Sequence, residues 1–289
     1  KKFIDVLKNL AIAYKPISTE IFLKKSPRQN LEINKFSPII TNEAPLEFVK
    51  LQENIKVMKK VDYLIGDGDN KAINSIVELH KSNVPISNIN KILSAGLLGL
   101  KTQRKLVPTR WSITAVDDTI SKDLLKKIRF YKEINEILVF TSEYNGNHYE
   151  ILLIPGNFSF EVIEAEIKFN GVKFWQDYEG FQGRKNYADG VVGAYYTNRL
   201  ALTEYLERIQ RQSTAIFFRE INNYYAPLGV GILRETCRDA FSKTPEKFNN
   251  LEEAFSSIQS RLKLDVNIFR EKSFLLKEYG KQKKLIEWF

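Results

Sequence analysis

Apolar positions in IDVLKNLAIAY, residues 4–14, recur three and four apart, which predicts a short helix near the start of the chain. Pro16, Pro27, Pro38 and Pro45 then punctuate an irregular stretch running to about residue 66. Such spacing predicts extended segments and turns laid over another domain, because each proline removes a backbone donor and fixes its own φ. From Asn70 the period changes. AINSIVELHKSN places Ile73, Ile76, Val77 and Leu79 close to one helical face, and Pro85 opens ISNINKILSAGLLGL with Ile86, Ile89, Ile92 and Leu93 on another. Two short helices across a Val-Pro turn, followed by Gln103, Arg104 and Lys105, resemble a helix-turn-helix. A helical hairpin packed into the core is the commoner use of so loose a pattern.

Residues 137–156, ILVFTSEYNGNHYEILLIPG, are the clearest β signal: alternating apolar residues flank Asn145-Gly146, a pair suited to a type I′ turn. FSFEVIEAEI, 158–167, predicts a further strand, and His148 is expected at the surface beside the turn. After Gly193 the spacing returns to three and four in NRLALTEYLERIQRQ, TAIFFREINNYY, VGILRETCRDAF, FNNLEEAFSSIQSRL and FREKSFLLKEYG, and all five are predicted as helices. The expected class is α+β: a mixed α/β N-terminal half with an antiparallel β-hairpin region, followed by a helical C-terminal half.

Composition narrows this picture. The 289 residues, 43% hydrophobic and 12% aromatic, suffice for one large or two moderate cores. No apolar run approaches the roughly 18 residues of a membrane span, so no membrane partner is expected. Cys237 is the only cysteine and His80 and His148 the only histidines, so an intrachain disulfide is impossible and an all-Cys/His zinc site lacks ligands. An intracellular, cytoplasmic location is the default. The net charge of +9 favours a polyanionic partner such as nucleic acid, although an even scatter of lysines gives the same total. The chain opens KKF, and its only methionine is Met58, so a processed or truncated product with functional parts upstream is expected.

Chemistry concentrates in two stretches. In KTQRKLVPTRWSITAVDD, 101–118, Arg104, Lys105 and Arg110 gather around Trp111, with Asp117 and Asp118 following. Guanidinium forks suit phosphate, and an indole stacks on a base or on the guanidinium itself. Read as strand, the two aspartates point to opposite faces, so at most one serves as a metal ligand or general base. A buried salt bridge between Arg110 and an aspartate accounts for the same spacing. In DYEGFQGRKNYADGVVGAYYTNRL, 177–200, glycines alternate with Tyr187 and Tyr195 and with Arg184, Lys185 and Arg199. That mixture suits a nucleic-acid or nucleotide ligand, but ordinary turn chemistry explains the glycines as well. The spacing matches neither a dinucleotide fingerprint nor a phosphate loop. Lys122, Lys126, Lys127, Arg129 and Lys132 form a further basic stripe, for which a solvated helix face is the commoner outcome. Ser112 and Ser121 have no nearby histidine, so a serine hydrolase has no support.

RKLVPTRWSITAVDD resembles the signature stretch of the archaeal Nre family of DNA repair proteins. The similarity extends through LSAGLLG, EYNGNHYEILLIPG, DYEGFQGRKNYADGVVGAYYTNRLALTEYL, RQSTAIFFREI and PLGVGILRE. The resemblance implies an Nre N-terminal-type α+β domain over 1–175, a helical C-terminal-type domain over 176–278 and a flexible tail at 279–289. It also implies a role in repairing DNA damage and a partnership with the sliding clamp PCNA. The family's usual opening segment, often cysteine-rich with zinc-ligand spacing, is missing from this chain, so any zinc site would lie there and the cofactors stay open.

The tail, QKKLIEWF, then takes a specific reading. Gln282, Leu285, Trp288 and Phe289 stand at the Q-x-x-h-x-x-a-a spacing of a PCNA-interacting peptide, with Lys283, Lys284, Ile286 and Glu287 between them. One helical turn after the glutamine puts the three apolar side chains on one side as a plug for a hydrophobic groove. A last helix turn folded into the domain is the alternative.

Two functions follow, beside a third in which the protein is a purely structural adaptor with no ligand beyond other proteins. One is a clamp-tethered, nucleoid-associated repair factor contacting DNA through Arg104, Lys105, Arg110, Trp111, Arg184, Lys185, Tyr187, Tyr195 and Arg199. The other is a nucleotide- or ADP-ribose-handling hydrolase or transferase, or a DNA-end-processing enzyme, with Arg110, Asp117 and Asp118 as catalytic residues. The sequence leaves open whether the protein is an enzyme.

Overall fold

The computed structural model describes residues 2–32, 40–222, 228–279 and 281. Chain contacts divide into two units, Lys1–Ile120 with Pro227–Gly229, and Ser121–Ala226 with Val230–Phe289. The boundary expected after residue 175 falls within a strand of the second unit.

In the first unit, the opening helix is α1 (Lys2–Ile12), and the proline-punctuated stretch forms antiparallel ribbons. Strand β1 (Thr19–Leu23) pairs with β4 (Leu46–Leu51), and β2 (Arg28–Glu32) with β3 (Ile40–Glu43). Helices α2 (Lys59–Gly66), α3 (Ala72–Lys81) and α4 (Ile86–Ser94) follow. Helix α3 ends where Asn83 adopts φ 57° and the amides of Asn83 and Val84 turn back to His80 and Leu79. Pro85 then starts α4, its carbonyl accepting from the Asn88 and Ile89 amides. Ile76, Leu79, Ile89 and Ile92 are buried, so most of this hairpin's apolar stripe is core, whereas Ile73 is exposed.

The aspartate pair overturns a local expectation. Thr109–Ile128 is a helix, α5, and not a strand. Pro108 sits at its start and its carbonyl accepts from Trp111 and Ser112, while the Ser112 hydroxyl ties the helix to the Asn90 carbonyl of α4 at 2.7 Å. The alternation of Trp111, Ile113 and Ala115 with Ser112 and Thr114 imitates a strand, but a proline before a long run without further glycine or proline favours helix.

The second unit is built on a six-stranded sheet ordered β10-β5-β6-β9-β7-β8. Strands β5 (Ile137–Tyr144) and β6 (Asn147–Ile154) form the expected hairpin, with Asn145 at φ 48° and Gly146 at φ 74°, as a type I′ turn requires. Strands β7 (Ser159–Lys168) and β8 (Gly171–Glu179) form a second one. Helix α6 (Gly193–Ile209) follows.

The next segment is a second correction. TAIFFREI, expected as helix, is β9 (Thr214–Ile221), inserted between β6 and β7 and parallel to β7. Ala215 and Phe217 enter the core on one side of the sheet, and Ile216 and Phe218 enter the core on the other. A strand buried on both faces loses its alternation, and a short apolar run then satisfies the helical period equally well.

Helix α7 (Gly231–Ser242) packs beside α6, and β10 (Glu246–Phe248) completes one edge. The opposite face is covered by α8 (Leu251–Gln259) and α9 (Val266–Lys272), with α10 (Phe274–Glu278) against β7. Asn250, Asp265 and Ser273 each cap the helix that follows through a side-chain oxygen. The class is α+β, as expected. No helix among the described residues is long and apolar enough to cross a membrane.

His148 is a smaller correction: it is buried, not a surface residue, held 2.9 Å from Glu150 and 3.6 Å from Glu143. Burial opposes its charge, but the Glu150 hydrogen bond and the charges of Glu150, Glu220 and Glu143 more than offset that and raise its pKa.

Candidate functional site: two arginine and aromatic clusters

In the first unit, Gly96 lies at φ +70°, and a Cβ there would sit 2.5 Å from the Lys105 carbonyl oxygen. LSAGLLG therefore needs glycine at this point so that the strip 104–107 can pass against it. Arg104 fastens the same loop. Its Nε donates to Gly99 O at 2.9 Å, Nη1 to Ile65 O at 2.7 Å and Nη2 to Asp67 O at 2.6 Å. The guanidinium fork that suggested phosphate is spent on three carbonyls.

Its neighbours differ. Lys105 and Arg110 are exposed, and Trp111 is 61% exposed with the Arg110 guanidinium 5.9 Å from its ring. The first turn of α5 thus offers a cation and an indole to solvent. Asp117 lies roughly two helical turns farther on and is fully buried, with Asp118 half-buried. The stretch brings Arg110 and Trp111 together and leaves the carboxylates inside. Among the described residues, no group of three or more His, Cys, Asp or Glu is placed to hold a metal ion.

In the second unit, the loop 180–190 joins β8 to α6, and the end of β8 supplies two buried carboxylates, Asp177 and Glu179. Arg184 knits this loop: Nη1 reaches Asp177 Oδ1 at 2.8 Å and Tyr178 O at 3.0 Å, and Nη2 donates to Tyr187 O at 3.1 Å. Arg199, almost fully buried, places Nη1 3.2 Å from both Glu179 oxygens, and its Nε donates to Ser121 Oγ at 3.1 Å. Both guanidinium carbons lie 5.5 Å from the ring centre of Tyr195. Tyr195 is itself fully buried, and burial drives its pKa far above the usual phenol value. Tyr187 is half-exposed, stacked on Tyr196 at 5.2 Å, and Lys185 is exposed.

Of the residues expected to bind, the fold therefore gathers Arg184, Tyr187, Tyr195 and Arg199 around one loop. Sequence reasoning missed Asp177, Glu179, Ser121 and the placement of Arg129 beside Phe181, whose ring lies 5.6 Å from the guanidinium. A D-x-E pair at strand spacing signals two carboxylates on one face, which was a readable clue to Asp177 and Glu179. Nothing local indicated that Arg129, at the end of α5, meets this loop. The tail Gln282–Phe289 lies outside the described residues.

The chain matches two family models, described as archaeal Nre, N-terminal, over residues 1–170 and archaeal Nre, C-terminal, over residues 179–288. It is 37% identical over 294 residues to the DNA repair protein NreB of Archaeoglobus fulgidus, covering 99% of this chain and 74% of that protein. The DNA repair protein NreA of the same organism is 34% identical over 271 residues, covering 91% of this chain and 68% of the relative. The DNA repair protein NreA of Haloferax volcanii is 32% identical over 282 residues, covering 94% and 67%. No solved structure matches.

Proposed function

The chain belongs to the archaeal Nre family, and from that premise we propose that it is a DNA repair factor, tethered to the sliding clamp PCNA by its tail and contacting nucleic acid itself. What carries the repair reading is similarity, over nine-tenths or more of the chain, to relatives named DNA repair proteins. The clamp reading draws on the tail. Gln282, Leu285, Trp288 and Phe289 are spaced as a glutamine followed by a three-pronged apolar plug, and Lys283 and Lys284 steer association with an acidic surface. The nucleic-acid reading draws on Lys105, Arg110 and Trp111 in one unit and Lys185 and Tyr187 in the other, all exposed. Cations meet phosphate and exposed rings stack on bases. Arg104, Arg184 and Arg199 act by holding the loops that carry them.

Deleting 282–289 is expected to abolish capture by the clamp while leaving the melting curve unchanged; unfolding would mean that the rings are core. DNA binding is expected to weaken steeply with salt, and Lys105→Ala or Arg110→Ala to lower the log–log slope by about 0.9 for each duplex phosphate no longer neutralised. Salt-insensitive binding sinks the nucleic-acid part. The enzymatic alternative around Arg110, Trp111, Asp117 and Asp118 draws less support, since Asp117 is fully buried while Arg110 and Trp111 face solvent.

A further inference from the structure

The basic stripe at the end of α5 carries more than solvated lysines. Residues 126–132 read KKIRFYK, four cations and two aromatic rings with no acidic residue among them. The helix closes there in a tight turn: the Arg129 amide donates to Leu125 O, that of Phe130 to Lys127 O and that of Tyr131 to Ile128 O. Gln212, buried just before β9, pins this turn in place. Its side chain donates to Tyr131 O at 2.6 Å and accepts from the Phe158 amide at 2.9 Å. Its backbone bonds Lys132 O and the Ile134 amide, each at 3.0 Å.

Within the pinned turn the apolar side chains divide. Ile128 is fully buried, and Tyr131 is half-buried with its hydroxyl on Glu207 at 2.7 Å, whereas Phe130 is 88% exposed. Single apolar side chains are ordinary on a surface, so the neighbours of this ring carry the argument. Phe130 follows Lys126 and Lys127 by four and three residues, the spacing that sets side chains next to one another on a helical turn. Both lysines are exposed, paired at 3.0 Å with Asp123 and Glu207 in surface contacts of small worth. Arg129 and Lys132, which flank the ring in sequence, make no ion pair among the described residues. Lys132 is exposed, and the Arg129 guanidinium lies 5.6 Å from the ring of Phe181, itself 38% exposed. The core of a protein–protein interface is depleted of charge, and a ring set among lysines makes a poor one. A polyanion that carries flat apolar groups matches it: phosphates meet the cations and a base covers the ring.

We propose that Phe130 is a stacking platform for an unpaired base of single-stranded nucleic acid, with Lys126, Lys127 and Lys132 on the flanking phosphates. The proposal rests on the nucleic-acid reading above and deepens it: this surface takes unpaired bases, because a base inside a duplex is already stacked and has to leave the stack to cover a ring. DNA and RNA strands share that chemistry, so the test separates them.

The full chain is titrated with fluorescent oligo-dT and oligo-U of about ten nucleotides, a length within the span of such sites, and with a DNA duplex of similar length. Phe130→Ala is expected to weaken single-strand binding about tenfold, the worth of one stacked base. Its salt slope and duplex affinity should not change, and Phe130→Trp should keep the parent affinity. The ring is exposed, so neither substitution should move the melting temperature. Lys132→Ala is expected to lower the single-strand salt slope by about 0.7, one phosphate contact. Loss in Phe130→Ala on oligo-dT alone or on oligo-U alone supports the site and identifies the strand. Parent-like single-strand binding by Phe130→Ala overturns the site and leaves the nucleic-acid reading to the Trp111 and Tyr187 surfaces. Equal weakening on single strand and duplex also overturns it, since a stacked base is then not the contact. A parent chain that binds neither strand nor duplex removes both the site and the reading beneath it.

Discussion

Replacing Arg104 with lysine separates its structural role from a nucleic-acid contact, because the charge survives and the fork does not. In the folded protein three donors of one planar group reach three carbonyls, at 2.9, 2.7 and 2.6 Å: Gly99 on the turn after α4, and Ile65 and Asp67 at the C-terminal end of α2, 39 and 37 residues away in sequence. A lysine ammonium is a point charge on a flexible stem and cannot span those directions at once. With one hydrogen bond retained and two broken at about 1 kcal/mol each, Arg104→Lys is expected to cost about 2 kcal/mol, and Arg104→Ala about 3 kcal/mol. At roughly 4 °C per kcal/mol for a domain of this size, the lysine variant should melt about 8 °C lower. Thermal unfolding followed by circular dichroism reads the shift. Hydrogen exchange at the Lys101 amide, bonded to Gly68 O at 2.7 Å, reports the same loop directly. The salt slope of DNA binding should not change, since all three guanidinium nitrogens are already engaged by carbonyls. An unchanged melt together with a slope smaller by about 0.9 would refute this reasoning and make Arg104 a phosphate ligand.

Other outcomes follow from the same geometry. Gly96→Ala is expected to lower stability by about 1–3 kcal/mol in chemical denaturation, because it combines a strained φ with a Cβ 2.5 Å from the Lys105 carbonyl oxygen; a neutral result would show that the strip 104–107 moves aside freely. Glu179→Gln leaves buried Arg199 without its counter-charge and should cost about 3–5 kcal/mol, with Arg199→Met in the same background recovering part of the loss in a double-mutant cycle. His148 has a folded pKa raised above its ordinary 6.5, so its contribution to stability is fully present below that value and is lost as pH rises through the raised one. His148→Asn should flatten stability against pH in that window, and an unchanged profile would mean that the Glu150 contact holds no charge.

How much of this was legible depended on range. Asn145-Gly146 announced its turn because a type I′ turn needs two positive-φ residues in succession, a demand met locally. The α3–α4 hairpin was readable for a similar reason: Asn83 and Pro85 punctuate it within a few residues. The aspartate pair and TAIFFREI were misread, as strand and as helix, because their apolar spacing satisfies both periods. What settled TAIFFREI was the insertion of β9 between β6 and β7, strands far from it in the chain.

The candidate sites divide along the same line. The sequence by itself determined which side chains were available: arginines and tyrosines in 101–118 and 177–200, glycines where the backbone must pass closely, and the aromatic spacing of the tail. Only tertiary structure decided what each side chain spends its chemistry on. Arg104 is consumed by carbonyls of Ile65, Asp67 and Gly99, Arg199 by a glutamate twenty residues away, and Arg129 is left with an unanswered donor beside a partly exposed ring. The reason is physical. Secondary structure is set by interactions within a turn or a strand pair, whereas a guanidinium on a long side chain takes whichever acceptors the folded chain brings within reach.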